Sequence, residues 1–283
     1  MTIIRFLYFV FLLFAGAACP GNNNKSQNAI KDRIVTDSSQ KVQAVNDDSI
    51  KTIHVFVALC DNKYQGIVPV PAAIGNGQDP KTNLYWGAGY GVKSFFLNKS
   101  QEWKLVSSIK NPSGNILERL LFRHSFKNVY ILADAYDGRF IKQATIDFLS
   151  SSSGNKEVAV DINDRILYFG GVADLITYVG HDGLMDFTLQ QKFEGDVRKK
   201  RETIILACYS KNYFLSHLKP TGATPLLWTS GLMAPEAYTL HDAVREWINN
   251  GTPQQIRLAA AKAYSKYQKC SIKAAQNLLL TGF

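Results

Sequence analysis

The sequence predicts an α/β fold, a three-layer sandwich with a mainly parallel central sheet flanked by helices. Three observations predict it. Strand-like apolar runs alternate with helix-like ones along residues 51–283, the order that builds a parallel sheet with helices on its faces. Two of those runs, "LITYVG" and "TIILA", are apolar almost throughout, as centre strands covered on both faces should be. Hydrophobic residues make up 46% of the chain and charged residues only 19%, which supplies a sizeable core and argues against disorder.

The elements follow in order. The first strand is expected over 52–60, "TIHVFVALC". A long insertion over 61–111 is rich in Gly, Pro, Asn and aromatics. Ser113 then reads as a helix cap, with Ile116, Leu117, Leu120 and Leu121 at helical spacing. The second strand is expected over 128–133 and an amphipathic helix over 138–149, broken by the serine run before Gly154. Residues 157–172 read as a strand plus a short helix. The third strand covers 174–180 and the fourth 203–207, followed by a helix over 211–218. The fifth strand covers 225–229, and helices are expected over 237–249 and 253–279.

The chain opens on "MTIIRFLYFVFLLFAGAA". Arg5 is a short basic region, and the apolar stretch after it falls short of the roughly 20 residues that a bilayer span needs. Residues 1–18 therefore read as a signal peptide. Cys19 follows small residues and resembles the acylated cysteine of bacterial lipoproteins, although Gly16 stands where that motif prefers an aliphatic residue. Ala15-Gly16-Ala17 also fits a cleavage site for ordinary secretion. Residues 19–50 are polar and read as a flexible, lipid-anchored tether. The expected location is the bacterial cell envelope, bound to the membrane through Cys19. The alternative is a soluble periplasmic or secreted protein.

The 32 basic and 23 acidic residues leave a net charge of +9. The basic residues are dispersed and no nucleic-acid motif accompanies them, so no nucleic-acid partner is expected. The "RKKR" at 198–201 reads as a solvated loop. No histidine pair has metal-ligand spacing, and no metal or cofactor is expected. Apart from Cys19 there are three cysteines. Either Cys60 pairs with Cys270 and leaves Cys208 free, or all three are free thiols.

The third and fourth strands each end on a reactive side chain, His181 and Cys208. In open parallel sheets function gathers beyond the carboxyl ends of strands. If the two strands are neighbours, their ends lie about 5 Å apart laterally. Cysteine attacks as its thiolate, which a helix start and an adjacent imidazole both favour. Gly183 allows close approach of backbone, and the Cys208 N–H is a second donor for an oxyanion.

At "LITYVGHDG" and "TIILAC" the chain resembles the caspase-like (clan CD) cysteine peptidases, which include caspases, legumains, clostripain and gingipains. Their shared signature is an apolar strand ending in His-Gly, then another ending in Ala-Cys. The resemblance implies a caspase-like domain over 51–283, with His181 as acid/base and Cys208 as nucleophile. The oxyanion hole would use the Cys208 N–H and a backbone N–H just after His181. Asp182 intervenes between histidine and Gly183, which departs from the family pattern, and the spacing of the two motifs is short for it. Thr229, Ser230 and Glu236 lie where this family builds substrate pockets. Asp134 and Asp137, after the second strand, are further candidates for such a pocket, against turn and cap duty. The glycine-rich "WGAGYGVKS" at 86–94 reads as a substrate-side loop. The function expected is peptide-bond hydrolysis or acyl transfer through a Cys208 thioester, with a peptide or protein substrate. The rival is an inactive envelope lipoprotein that keeps the fold for binding.

Overall fold

The computed structural model describes residues 50–162, 165–196, 198 and 200–283. The expected signal peptide, Cys19 and the tether up to residue 49 lie outside the described residues. The elements run β1 (Lys51–Ala58), α1 (Val92–Asn98), β2 (Trp103–Ser113), β3 (Ile116–His124), β4 (Val129–Tyr136), α2 (Ile141–Ser152), β5 (Glu157–Ile162) and β6 (Arg165–Gly170). They continue with β7 (Leu175–Gly180), β8 (Glu202–Leu206), α3 (Ser210–Leu218), β9 (Thr224–Thr229), α4 (Ala237–Ile248), α5 (Pro253–Gln268), α6 (Ile272–Leu278) and β10 (Leu279–Leu280).

Eight strands form one sheet in the order β10-β9-β8-β7-β1-β4-β3-β2. The five strands from β9 to β4 are parallel. β10, β3 and β2 join antiparallel at the two edges. The chain leaves β1 in one direction to reach β4 and later returns to its other side as β7. Such a switch of direction opens a crevice at the carboxyl ends of the strands.

Alternation of side chains along each strand feeds two cores. Val55, Val57, Ile204 and Leu206 face α1, α4, α5 and α6 through Phe95, Phe96, Leu240, Val244, Ile256 and Ala275. Phe56, Ala58, Ile205 and Ala207 face α2 and α3 through Phe148, Phe214 and Leu218. A smaller core under the β5–β6 hairpin joins Val160, Leu167 and Phe169 to Leu121, Tyr130 and Leu132. The α/β class, the helix-flanked layers and the mostly parallel sheet are therefore as the sequence predicts.

Three expected elements differ. The helix expected after Ser113 is strand β3. Its leucines look helical because both faces are covered: Leu120 and Phe122 enter one core and Leu121 another. A strand buried on both sides has no simple alternation to betray it. The short helix expected within 157–172 is strand β6, paired antiparallel with β5. The long helix expected over 253–279 is two helices, because Lys269 turns into the left-handed region at φ 55° and Ser271 caps a new helix by accepting from the Ala274 N–H. In the basic run, Arg201 is buried rather than solvated. Its guanidinium donates to the carbonyls of Ser152 at 2.8 Å and Thr221 at 3.0 Å.

Phe148 shows how the α2–sheet–α3 face is held. It is fully buried, and its ring lies 6.2 Å from Phe56, 5.7 Å from Tyr178 and 5.8 Å from Phe214, all edge-on. Phe148→Ala is predicted to lower the unfolding free energy by about 3–5 kcal/mol. Urea denaturation measures this, and a loss below about 1 kcal/mol would mean the site collapses without cost.

Candidate active site

β7 and β8 pair in parallel from Leu175↔Glu202 to Val179↔Leu206. His181 and Cys208 each stand two residues past that last pair. The two groups thus leave neighbouring strands at the same level of the sheet, at its carboxyl rim.

Backbone geometry delivers the imidazole. Gly180 has φ +144°, and a Cβ there would lie 2.6 Å from the Ala58 carbonyl oxygen on the adjoining strand. Only glycine turns the chain here. The Tyr178 hydroxyl donates to the His181 carbonyl at 2.8 Å and anchors the residue. The ring is 6% exposed, and its Nε2 lies 2.8 Å from Asp186 Oδ2. The Gly66 N–H donates to the same carboxylate oxygen at 2.9 Å. Asp186 was not a candidate from sequence. Its signal, a carboxylate five positions after the histidine, acquires meaning only through the 3-10 turn Gly183–Met185 that folds it back.

The turn after β8 presents the thiol. Tyr209 sits in the left-handed region at φ 49°, an unfavourable setting for a non-glycine residue and one found at functional turns. The Thr229 hydroxyl donates to the Ala207 carbonyl and accepts from the Ser210 N–H at 3.1 Å. The Ser210 hydroxyl in turn accepts from the Thr229 N–H at 2.9 Å. These bonds tie both sides of Cys208 to β9. The half-buried sulfur donates to the Met233 carbonyl at 3.5 Å and accepts from the Met233 N–H at 3.4 Å. Among the described residues no hydrogen bond joins this sulfur to the His181 ring. Burial pushes the Cys208 thiol up, the Met233 N–H opposes that, and Asp182 adds to it. The gain expected from the start of α3 is outweighed by that burial.

Asp182 is fully buried between these two residues in sequence. Its Oδ1 accepts from the Leu184 N–H at 3.0 Å and caps the 3-10 turn. Its Oδ2 has no partner among the described residues. Burial, with Asp186 adding to it against the Leu184 N–H, pushes the carboxyl up to about 7. The missing side chain of Gly183 is taken up by packing. A Cβ there would lie 2.7 Å from the Phe187 ring. Among the described residues neither the Gly183 nor the Cys208 N–H bonds to a protein acceptor.

The other candidates separate. Thr229 is buried and holds the Cys208 turn, so it positions the thiol rather than lining a pocket. The Ser230 hydroxyl donates to the Asn277 carbonyl at 2.9 Å. Glu236 lies three residues past the Met233 clamp, immediately before α4, and makes no side-chain cap to that helix. Asp134 is fully buried on β4, one strand further away than β1. Its carboxylate accepts from Arg119 Nε at 2.6 Å and meets His54 Nε2 at 3.1 Å. Burial opposes its ionisation, but Arg119 and then His54 hold the carboxyl far below the usual range. Asp134 thus belongs to a buried network and not to a pocket for a basic side chain. Asp137 caps the turn before α2, pairs with Arg139 at 2.6 Å and accepts from Gln78 at 2.9 Å. Cys60, Cys208 and Cys270 are all free thiols. Cavities of about 330 and 500 Å³ open near Asp174, Lys200 and Glu202, at the amino ends of the strands and away from the dyad. No helix among the described residues is long and apolar enough to cross a membrane.

Asp182 gives a measurable signature. An acid whose folded pKa lies above its unfolded value destabilises the fold as pH rises through that window, here from about 4 to about 7. Asp182→Asn is predicted to remove this contribution. At pH 8 the variant should exceed wild type by about 1–3 kcal/mol, and near pH 4 the two should agree. Urea denaturation at both pH values measures the difference, and parallel profiles would show that Asp182 ionises freely. No family model, no curated protein and no solved structure matches the chain.

Proposed function

We propose that the protein is a caspase-like cysteine peptidase, exported and anchored to the bacterial envelope through Cys19. One observation carries the reading. The His181 and Cys208 motifs end adjacent parallel strands at equal height, and a carboxylate, Asp186, is bonded to the far nitrogen of the imidazole. That bond places the Nε2 proton toward Asp186 and leaves Nδ1 as the basic atom. It is the orienting role that the third member of a catalytic triad plays.

The chemistry follows from the groups present. Nδ1 of His181 takes the thiol proton as the Cys208 sulfur attacks the scissile carbonyl carbon. The negative charge that develops on the carbonyl oxygen meets the free N–H groups of Cys208 and Gly183. Collapse of this intermediate breaks the C–N bond, and the imidazolium returns its proton to the departing amine. Water then attacks the Cys208 thioester, with His181 as base, and regenerates the thiol. An amine in place of water gives acyl transfer.

The second reading, an inactive binding module with the same fold, draws on the burial of the thiol and the absence of a direct sulfur–imidazole bond. Labelling by a thiol-reactive peptide electrophile discriminates. Cys208 is predicted to label in wild type and Cys208→Ala to lose labelling. His181→Ala should slow the rate by roughly 10²–10⁴-fold, and Asp186→Asn by a smaller factor. Equal labelling of Cys60 or Cys270, or indifference to His181, would favour the binding module.

A further inference from the structure

We infer that the carboxyl-end rim of the sheet is a membrane-docking face, whose loop over 66–75 sets its apolar residues into the headgroup region of an anionic bilayer. The inference concerns the folded domain rather than Cys19, and it does not rest on the peptidase reading. It starts from "GIVPVPAAIG", a stretch in which no residue carries a polar side chain. Only part of this loop serves the core. Ile67 and Val70 pack against the α1–α4–α5 side of the sheet. Val68, Pro69, Pro71, Ala72 and Ala73 are exposed, Val68 at 69%.

The loop is built into the rim. The Asn62 side chain donates to the Val70 carbonyl at 2.7 Å and accepts from the Val70 N–H at 3.0 Å. Gln65 Nε2 donates to the Gly138 carbonyl at 3.1 Å, and the Gly66 N–H donates to Asp186 at 2.9 Å. These bonds hold it against the segments that follow β4 and β7. The same face carries further apolar side chains that the core does not use. Phe140 follows β4, Met185 follows β7, Tyr209 follows β8 and Leu232 follows β9, and all four are exposed, Leu232 at 67%. Apolar surface gathered on one face of a domain marks an interaction site, whereas scattered residues do not.

Charge decides what covers it. Lys63 lies 5.0 Å from the Tyr64 ring centre, Lys142 5.8 Å from Phe187 and Lys211 5.4 Å from Trp228. None of these lysines pairs with a carboxylate within 4.0 Å among the described residues. Arg139 is already paired with Asp137, and Asp186 is engaged by His181 and Gly66. Apolar tips ringed by unpaired ammonium groups on long stems match a lipid surface, where the tips enter and the lysines meet phosphate. Nucleic acid would match the lysines but leave Val68, Met185 and Leu232 unused. Pro69 and Pro71 have no N–H, and the N–H groups of Ile74 and Gly75 donate to the Pro71 carbonyl at 3.0 and 3.1 Å. The loop therefore lacks the row of free donors that an added peptide strand or a second copy would pair with.

The test places a tryptophan on each end of the full chain. Val68→Trp reports the rim. Phe126→Trp is the reference, because Phe126 is 83% exposed at the opposite end of the sheet, between β3 and β4. Vesicles of phosphatidylglycerol and phosphatidylethanolamine with brominated acyl chains are added, and wild type gives the background. Emission from Val68→Trp should move to shorter wavelength and be quenched, while Phe126→Trp stays unquenched. Phosphatidylcholine vesicles should act only at much higher lipid concentration. Adding Lys63→Gln and Lys142→Gln to the Val68→Trp chain should raise the lipid needed for half the signal by roughly 30-fold. An unchanged Val68→Trp spectrum overturns the inference, whether or not the chain sediments with the vesicles. Equal quenching of Phe126→Trp, equal response to phosphatidylcholine, or indifference to the two lysines also overturns it. A shift without lipid that grows with protein concentration identifies a second copy instead, and one produced by an unfolded protein identifies a polypeptide ligand. Should Val68→Trp fail to fold, Leu232→Trp reports the same face. Labelling of Cys208 by the peptide electrophile is read separately, so either reading can fail alone.

Discussion

Parallel strands cannot be joined by a tight turn, so β7 and β8 meet only because the chain crosses over between them. Their register, ending at Val179↔Leu206, sets where His181 and Cys208 emerge. A slip of one residue would turn every side chain of one strand to the other face. The two cores forbid that slip. Ile204 and Leu206 are buried on one side, and Ile205 and Ala207 on the other. Packing far from the rim thus fixes the level at which imidazole and thiol leave the sheet, and the turns at Gly180 and Tyr209 follow what the register has delivered.

Scarcity of water governs the electrostatics of the rim. Burial pushes up Asp182, Cys208 and Glu236 alike. For each of them the charged form is disfavoured until something compensates it. His181, by contrast, has its carboxylate partner in Asp186. The Met233 N–H restrains the Cys208 sulfur. Nothing in the chain compensates Asp182 Oδ2 or Glu236 Oε1 with a hydrogen bond, among the described residues. A buried carboxyl oxygen without a hydrogen-bond partner is expensive in a stable fold.

The part of the sheet away from the dyad solves a different problem. β1 lies between the dyad-bearing strand β7 and β4, and so carries the switch of direction. There Asp134 faces Arg119 from β3 and His54 from β1, all three buried. Ion pairs of this kind add little net stability, but removing one partner leaves a costly buried charge. The network therefore ties β1, β4 and β3 to a single arrangement.

The fold class, the parallel strands and the standing of His181 and Cys208 just past two of them were determined by the sequence itself. Continuous β-branched runs such as "TIILA" leave no helical alternative, and each ends at a residue whose chemistry is distinctive. Local pattern failed where burial covered both faces, as in β3, and where a break carried no glycine or proline, as at Lys269. Only the tertiary structure decided that Asp186 turns back onto His181, that Met233 clamps the sulfur and that Thr229 ties the Cys208 turn to β9. The same holds for Asp134, whose partners come from two other strands. Periodicity reports what one segment buries. Which side chains meet across segments depends on strand order and on the path of the loops, and neither is written in any short stretch of chain.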